Sequence, residues 1–243
     1  MLVNRIGFIA CTFLLMIILS VLTKNVIIAG IITFITVMIG YTIIAYMRNK
    51  KRINLLEEEC DPEAFLEAIE KQRAIVGKKD KYNTYLDIDK AVGLISMGEF
   101  EEAKELLMSI DKTYLSAKNG MLLIYTIDLL CCLYELGEIS HAEEIFETQI
   151  LLLPPMNPRM TLSMKLLVAE RFLFLNRYEE SREKFQELLN EKMTKHVRIS
   201  VLYSLAKIDE NTGDIDSAQN KYKEVAESGN KLWIAKEAKR RLN

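Results

Sequence analysis

The residues of this chain best equipped for chemistry are two histidines and four cysteines. Glu138-x-x-His141 has the form that di-iron helix bundles use, but such sites need the motif twice, with further carboxylates. The second histidine, His196, has no glutamate three residues before it. Both histidines read as solvated residues at helix ends. Cys131 and Cys132 are adjacent within an apolar helical pattern, which raises a thiol's pKa and keeps it inert. Cys11 sits in an apolar run and Cys60 stands alone, and no Cys-x-x-Cys or Cys/His spacing suits zinc. The P-loop, dinucleotide, nucleophile-elbow and zinc-protease motifs are all absent. The sequence thus offers no catalytic residue, no metal site and no cofactor site, and it reads as a non-enzyme.

What remains is architecture. Proline and glycine are scarce, at four and ten of 243 residues, and long helix-periodic segments dominate, so the fold class is all-α. Unpaired cysteines fit a reducing compartment. Charge is unevenly placed. Residues 1–47 contain Arg5 and Lys24 and no acidic residue; everything after Met47 carries a formal charge of −4. A mildly acidic domain argues against nucleic acid as a partner.

Residues 1–47 read as a transmembrane helical hairpin. Ile6–Leu22 and Val26–Met47 are uncharged runs of 17 and 22 residues, separated by Thr23-Lys24-Asn25. A bilayer core needs roughly 20 apolar residues in a helix. A cleaved leader would be followed by polar chain, whereas apolar character resumes here after three residues. Barely half an apolar segment precedes Cys11, which argues against a lipid-modified cysteine there. Arg5, Arg48, Lys50, Lys51 and Arg52 flank the spans, against Lys24 alone in the turn. The positive-inside rule therefore places both termini and the soluble domain in the cytoplasm. The basic juxtamembrane linker, 48–60, is expected to bring Arg48, Lys50, Lys51 and Arg52 to anionic lipid head groups.

The domain at 61–243 opens with Asp61-Pro62, a helix cap followed by a proline tolerated in the first turn. Helix pairs follow at 82–97 with 99–112, 121–136 with 138–153, 160–175 with 178–192, and 197–212 with 214–228. A phrase marks each corner: G-E-F-E-E-A at 98–103, G-E-I-S-H-A at 137–142, N-R-Y-E-E-S at 176–181 and G-D-I-D-S-A at 213–218. Gly or Asn supplies the left-handed residue that ends a helix. The sixth residue is small, which lets the two helices of a pair pack closely, and Ala91, Ala169 and Ala206 supply matching small residues on the first helices. Leu130 departs from that pattern. A last helix within 230–243 reads as an end cap, its basic residues complementing the helix dipole.

The small residues Ala103, Ala142, Ser181 and Ala218 recur at intervals of 39, 39 and 37. This combination resembles the tetratricopeptide repeat family across residues ~82–228, in four units, although the family's usual period is about 34. The resemblance implies a helical solenoid whose first helices line a concave groove for a peptide or partner helix. It places Tyr85, Ile88, Val92 and Ile95 there from the first unit, Ile124, Ile127, Cys131 and Tyr134 from the second, and Leu166, Leu173 and Phe174 from the third. The fourth, through Tyr203, Lys207 and Glu210, is mostly polar.

The helix at 121–134 is apolar nearly all the way round, so it must be covered on every side. Two coverings are open: the chain itself, by tight closure or its 61–76 helix, or an apolar helical segment of a partner. The functional expectation is a membrane-anchored scaffold that recruits a protein or peptide at the cytoplasmic face. The alternative is a subunit or assembly factor of a membrane complex, bound through the hairpin.

Overall fold

A computed structural model describes residues 5–243; Met1–Asn4 and the side chains of Arg5 and Ile6 lie outside the description, and with them the start of the first expected span and the charge of Arg5. Twelve α-helices and no strand occur among the described residues. The chain divides into two compact units, one ending at Lys51 and one comprising Arg52–Asn243.

In the first unit, α1 (Arg5–Thr23) leads to α2 (Val26–Glu57) through Lys24, which has a left-handed backbone, φ 50°. Asn25 caps α2 by accepting from the Ile27 and Ile28 amides at 3.0 and 3.3 Å. Thr12, Thr33 and Thr42 donate their hydroxyls to carbonyls one turn back, so these polar groups are satisfied within apolar helices. Of the described helices, α2 is long and apolar enough to cross a membrane; the apolar part of α1, Gly7–Thr23, is shorter. The basic segment that follows Met47 is helical, since α2 continues unbroken to Glu57.

The second unit begins within the last turns of α2. The helices α3 (Pro62–Val76), α4 (Asp80–Met97), α5 (Phe100–Ser109), α6 (Met121–Glu135), α7 (Ile139–Thr148), α8 (Pro158–Phe174), α9 (Tyr178–Leu189), α10 (Lys195–Thr212), α11 (Ile215–Ser228) and α12 (Trp233–Arg241) follow. Asp61 caps α3 as its type suggests, accepting from the Ala64 amide at 3.0 Å. Successive helices pack in pairs, and α4, α6, α8 and α10 lie side by side. Each corner has its left-handed residue, at Gly98, Gly137, Asn176 and Gly213. Ala103, Ala142, Ser181 and Ala218 are all buried, as are Ala91, Ala169 and Ala206. Ser181 uses its hydroxyl, which donates to the Ala169 carbonyl at 2.8 Å on the facing helix. Helices α5 and α7 stop short of the expected ends, at Ser109 and Thr148. Irregular chain with short 3-10 turns then runs to α6 and α8.

The C-terminal helix is not a free cap. Trp233 packs edge-on against Phe100 and Tyr203, with ring centroids 5.3 and 5.5 Å apart. The Lys231 amide donates to the Cys60 carbonyl at 3.2 Å, the Asn230 side chain donates to the Glu59 carbonyl at 2.8 Å, and Lys231 pairs with Asp61 at 2.8 Å. One apolar cluster accordingly joins Leu56, Phe65, Ile69 and Leu86 to Ile199, Tyr222, Leu232 and Ala238. The last helices of this unit thus close onto its first.

Gly98 carries both constraints, a φ of 87° and the Trp233 side chain 3.0 Å from where a Cβ would stand; Gly137 has φ 77° and open space. Gly137→Ala is therefore expected to cost about 1 kcal/mol from backbone strain alone. Gly98→Ala is expected to cost about 1–2 kcal/mol more, from pressing on Trp233. Urea unfolding of both variants checks this, and equal losses would show that Trp233 does not bear on the corner.

Candidate functional site

The four first helices share a face turned away from their partners. On α6, Cys131 is within electrostatic reach of Glu170 on α8, and Cys132 is within reach of Asp128 on its own helix and of Lys104 and Glu101 on α5. The same face carries Asp89 on α4, Asp128 and Glu135 on α6, and Lys207 on α10, each within electrostatic reach of a neighbour on the next first helix. Tyr134 stacks on Phe174 at 5.2 Å, and the Lys207 ammonium sits 5.3 Å from the Phe174 ring.

Part of this face is covered by the chain itself. Arg52, 9% exposed, pairs with Asp89 at 2.7 Å, and its guanidinium lies 5.9 Å from the Phe65 ring. Leu56 is buried among Phe65, Leu86, Ile199 and Leu202, and Glu57 pairs with Arg159 at the start of α8. This corrects the expectation for Arg52: its charge is engaged inside the helical unit and not at a lipid surface. Lys50 and Lys51 are exposed and Arg48 is half-buried.

Of the residues expected to line a groove, Ile88, Tyr134 and Leu173 are buried and belong to helix packing, with no surface to offer a docked segment. Tyr85, Val92, Ile95, Ile124, Ile127, Cys131, Leu166 and Phe174 are half-buried. Tyr203 is buried beside Trp233, while Lys207 and Glu210 are half-buried.

The electrostatics of the face come from its carboxylates. Burial pushes the Asp128 carboxyl well up, Asp89 adds to the rise and Arg159 opposes it. Its Oδ2 is sealed from solvent with no hydrogen-bond partner. Burial, reinforced by Glu135 and opposed by Lys207, raises Glu170 to about 8. Burial also raises Glu135 against the pull of Lys207, and raises Asp89 despite Arg52. Cys131 is driven far up by burial and by Glu170, so its thiolate is disfavoured. His196 is not the solvated residue expected: burial and Arg159 lower it to about 4, leaving it neutral near pH 7. His141 is exposed, 3.7 Å from Glu138. Among the described residues, no three His, Cys, Asp or Glu side chains are placed to share a metal ion.

Two other charged groups are structural ties. Glu143 accepts from Arg171 at 2.8 Å and from the Tyr134 hydroxyl at 2.5 Å, joining α6, α7 and α8. Asp209, fully buried, accepts from Lys221 at 2.6 Å and Ser217 at 2.8 Å, and pairs with Arg182. Although burial works the other way, these three partners hold its carboxyl below the usual range.

Sequence reasoning on apolar residues missed the carboxylates of the shared face. A signal was present: Asp89 and Asp128 are 39 apart, Cys131 and Glu170 are 39 apart, and Glu170 and Lys207 are 37 apart, the intervals of the corner motif. No protein-family model, curated protein or solved structure matches the chain.

Because Glu170 is raised from about 4.5 to about 8, the folded protein binds that proton more tightly than the unfolded chain. The stability this supplies is present in full below pH 4.5 and is lost as pH rises toward 8. Glu170→Gln is expected to remove that loss. After allowance for solvent reaching this half-buried group, the variant should gain about 1–3 kcal/mol over the native chain near pH 8.5 and almost nothing near pH 5. Urea unfolding at the two pH values reads the difference, and an unchanged pH dependence would contradict it.

Proposed function

We propose that the chain is a membrane-anchored adaptor. In this reading α1 and α2 form a transmembrane hairpin with both chain ends in the cytoplasm, and the helical unit is a tetratricopeptide-like solenoid that holds a helical protein segment against its first helices. The four left-handed corners and the small buried residues five positions after each support the repeat reading. The observation that carries the binding reading is the pairing of carboxyl groups that burial disfavours as carboxylates with apolar surface. Among the described residues, Asp128 has a carboxylate oxygen without a hydrogen-bond partner, and Glu170 has Lys207 within electrostatic reach, on a face that also offers Ile124, Ile127 and Leu166. A buried carboxylate without a partner is costly, and a cationic group supplied from outside relieves that cost. The segment that fits is therefore an amphipathic helix with at least one Lys or Arg among apolar residues.

The test is site-specific photocrosslinking of the full-length protein in cells, followed by mass spectrometry. A crosslinker at Ile124 or Ile127 is expected to capture one defined protein, and one at exposed Glu105 on α5 is not. Neutralising the face with Asp128→Asn and Glu170→Gln, which removes charge without adding bulk, is expected to cut that capture by roughly tenfold or more, given 1.5–3 kcal/mol for a hydrogen bond to a charged group. Capture unaffected by neutralisation, or equal from α5, would overturn the proposal.

A further inference from the structure

The last turns of α2 lie against the first helices as a helical ligand would. Arg52 and Leu56 stand four residues apart on one side of that helix, and both are buried. Arg52 pairs with Asp89 on α4 at 2.7 Å. Leu56 belongs to one apolar cluster with Leu86 of α4 and with Ile199 and Leu202 of α10, and Leu55 and Val92 pack against that cluster. Glu57 pairs with Arg159 at the start of α8. Residues 52–57 thus meet three of the four first helices through an arginine, two leucines and an acid.

These ties differ from the ones that hold the helix pairs together. The Asp209 carboxylate, which joins α9 and α11 to α10, has a side chain only 1% exposed. The partners of 52–57 stay open to solvent instead: the side chains of Asp89 and Arg159 are 36% and 67% exposed while paired. A charged group arriving from solvent reaches either one without first opening the unit. Exchanging one ion pair for another of the same kind leaves no buried charge unpaired, so the exchange avoids the large cost of simply breaking the pair. The segment also has the chemistry of the helix proposed above to bind this face, an arginine set among apolar residues.

We propose that residues 52–57 occupy the partner-binding face in cis, and that the partner displaces them with a helix of the same pattern, an arginine followed four residues later by a leucine. This displacement rests on the adaptor reading of the face. A segment tethered in the same chain competes at an effective concentration on the order of millimolar. The native chain therefore keeps the face closed to weak or ill-matched helices. A helix that brings a cation to Asp89 and a leucine to the place of Leu56 replaces both contacts together and opens it.

The experiment follows the fluorescence anisotropy of a labelled synthetic peptide of residues 48–60, carrying Cys60→Ser, as full-length protein in maltoside micelles is added. Arg52→Gln in the protein weakens the cis segment and leaves Asp89 for the peptide. This variant is expected to bind the peptide roughly tenfold or more tightly than native protein does. A peptide that itself carries Arg52→Gln is expected to lose that gain, and so is protein with both Arg52→Gln and Asp89→Asn. Arg52→Lys keeps the charge without the guanidinium fork and is expected to give a smaller gain. It carries the test if Arg52→Gln does not unfold cooperatively in urea. Equal affinity for native and variant protein, no binding to either, or binding indifferent to the peptide arginine overturns the displacement and makes 52–57 a fixed part of the core. Photocrosslinking from Ile127 in the Arg52→Gln chain separates this failure from that of the adaptor reading. Capture several-fold above the native chain supports displacement. Capture equal to the native chain overturns displacement alone, and no capture from either chain overturns both.

Discussion

The close approach of two helices within each pair is the constraint on which the rest of this molecule depends. Helix axes come within reach of backbone contact only if the side chains between them are small. Ala91 and Ala103, Ala169 and Ser181, and Ala206 and Ala218 are small residues on the two helices of three pairs, and all six are buried; in the second pair Ala142 is small and buried while Leu130 takes the matching place. Everything outward of these contacts follows from the pair geometry. The corner must turn sharply, so a left-handed residue sits at each one. The larger Phe146, Phe185 and Tyr222, one helical turn further on, then fill the space beyond the contact, and each is buried. Where a serine replaces alanine, its hydroxyl finds a backbone carbonyl on the partner helix and leaves no unpaired polar group behind.

Charged residues supply specificity where apolar packing alone would let the pairs slide. Asp209 gathers groups from α9 and α11 onto α10, and Glu143 gathers α6 and α8 onto α7. Both are satisfied through several donors, the condition under which a buried carboxylate is tolerable. The carboxylates on the shared face of the first helices differ in kind. Asp89 has Arg52, but Asp128 leaves an oxygen unpaired and Glu170 is held toward its neutral form. Within one repeated framework, equivalent chemistry thus serves packing on one face and unmet demand on another.

Features set by neighbours close in sequence were readable from the residues. The corners at Gly98, Gly137, Asn176 and Gly213, the buried small residues, the Asp61-Pro62 helix start and the all-helical class each depend on a few adjacent side chains. The Asp89, Asp128, Glu170 and Lys207 spacing was legible too, but apolar residues alone drew the groove. What was hidden depends on contacts across the whole unit. Trp233 on Gly98, Arg52 on Asp89, and the burial of His196 all join segments far apart in the chain, and no local pattern announces them. The early ends of α5 and α7 escaped for a different reason: Leu106 to Lys112 and Ile145 to Leu153 keep helical periodicity even where the backbone leaves the helix.

The closure of α12 onto the first helix pair has a consequence for the order in which this chain acquires its structure. In an open array of repeats, each unit gains its neighbours as it emerges during synthesis, and the earliest units settle first. Here the corner at Gly98 and Phe100 receives its covering ring only when Trp233 has been made, and the Cys60 carbonyl waits for the Lys231 amide. The first pair to be synthesised is therefore among the last to be completed. Until then its apolar edge is open to whatever else is at hand, and the final dozen residues act as the seal on the whole domain.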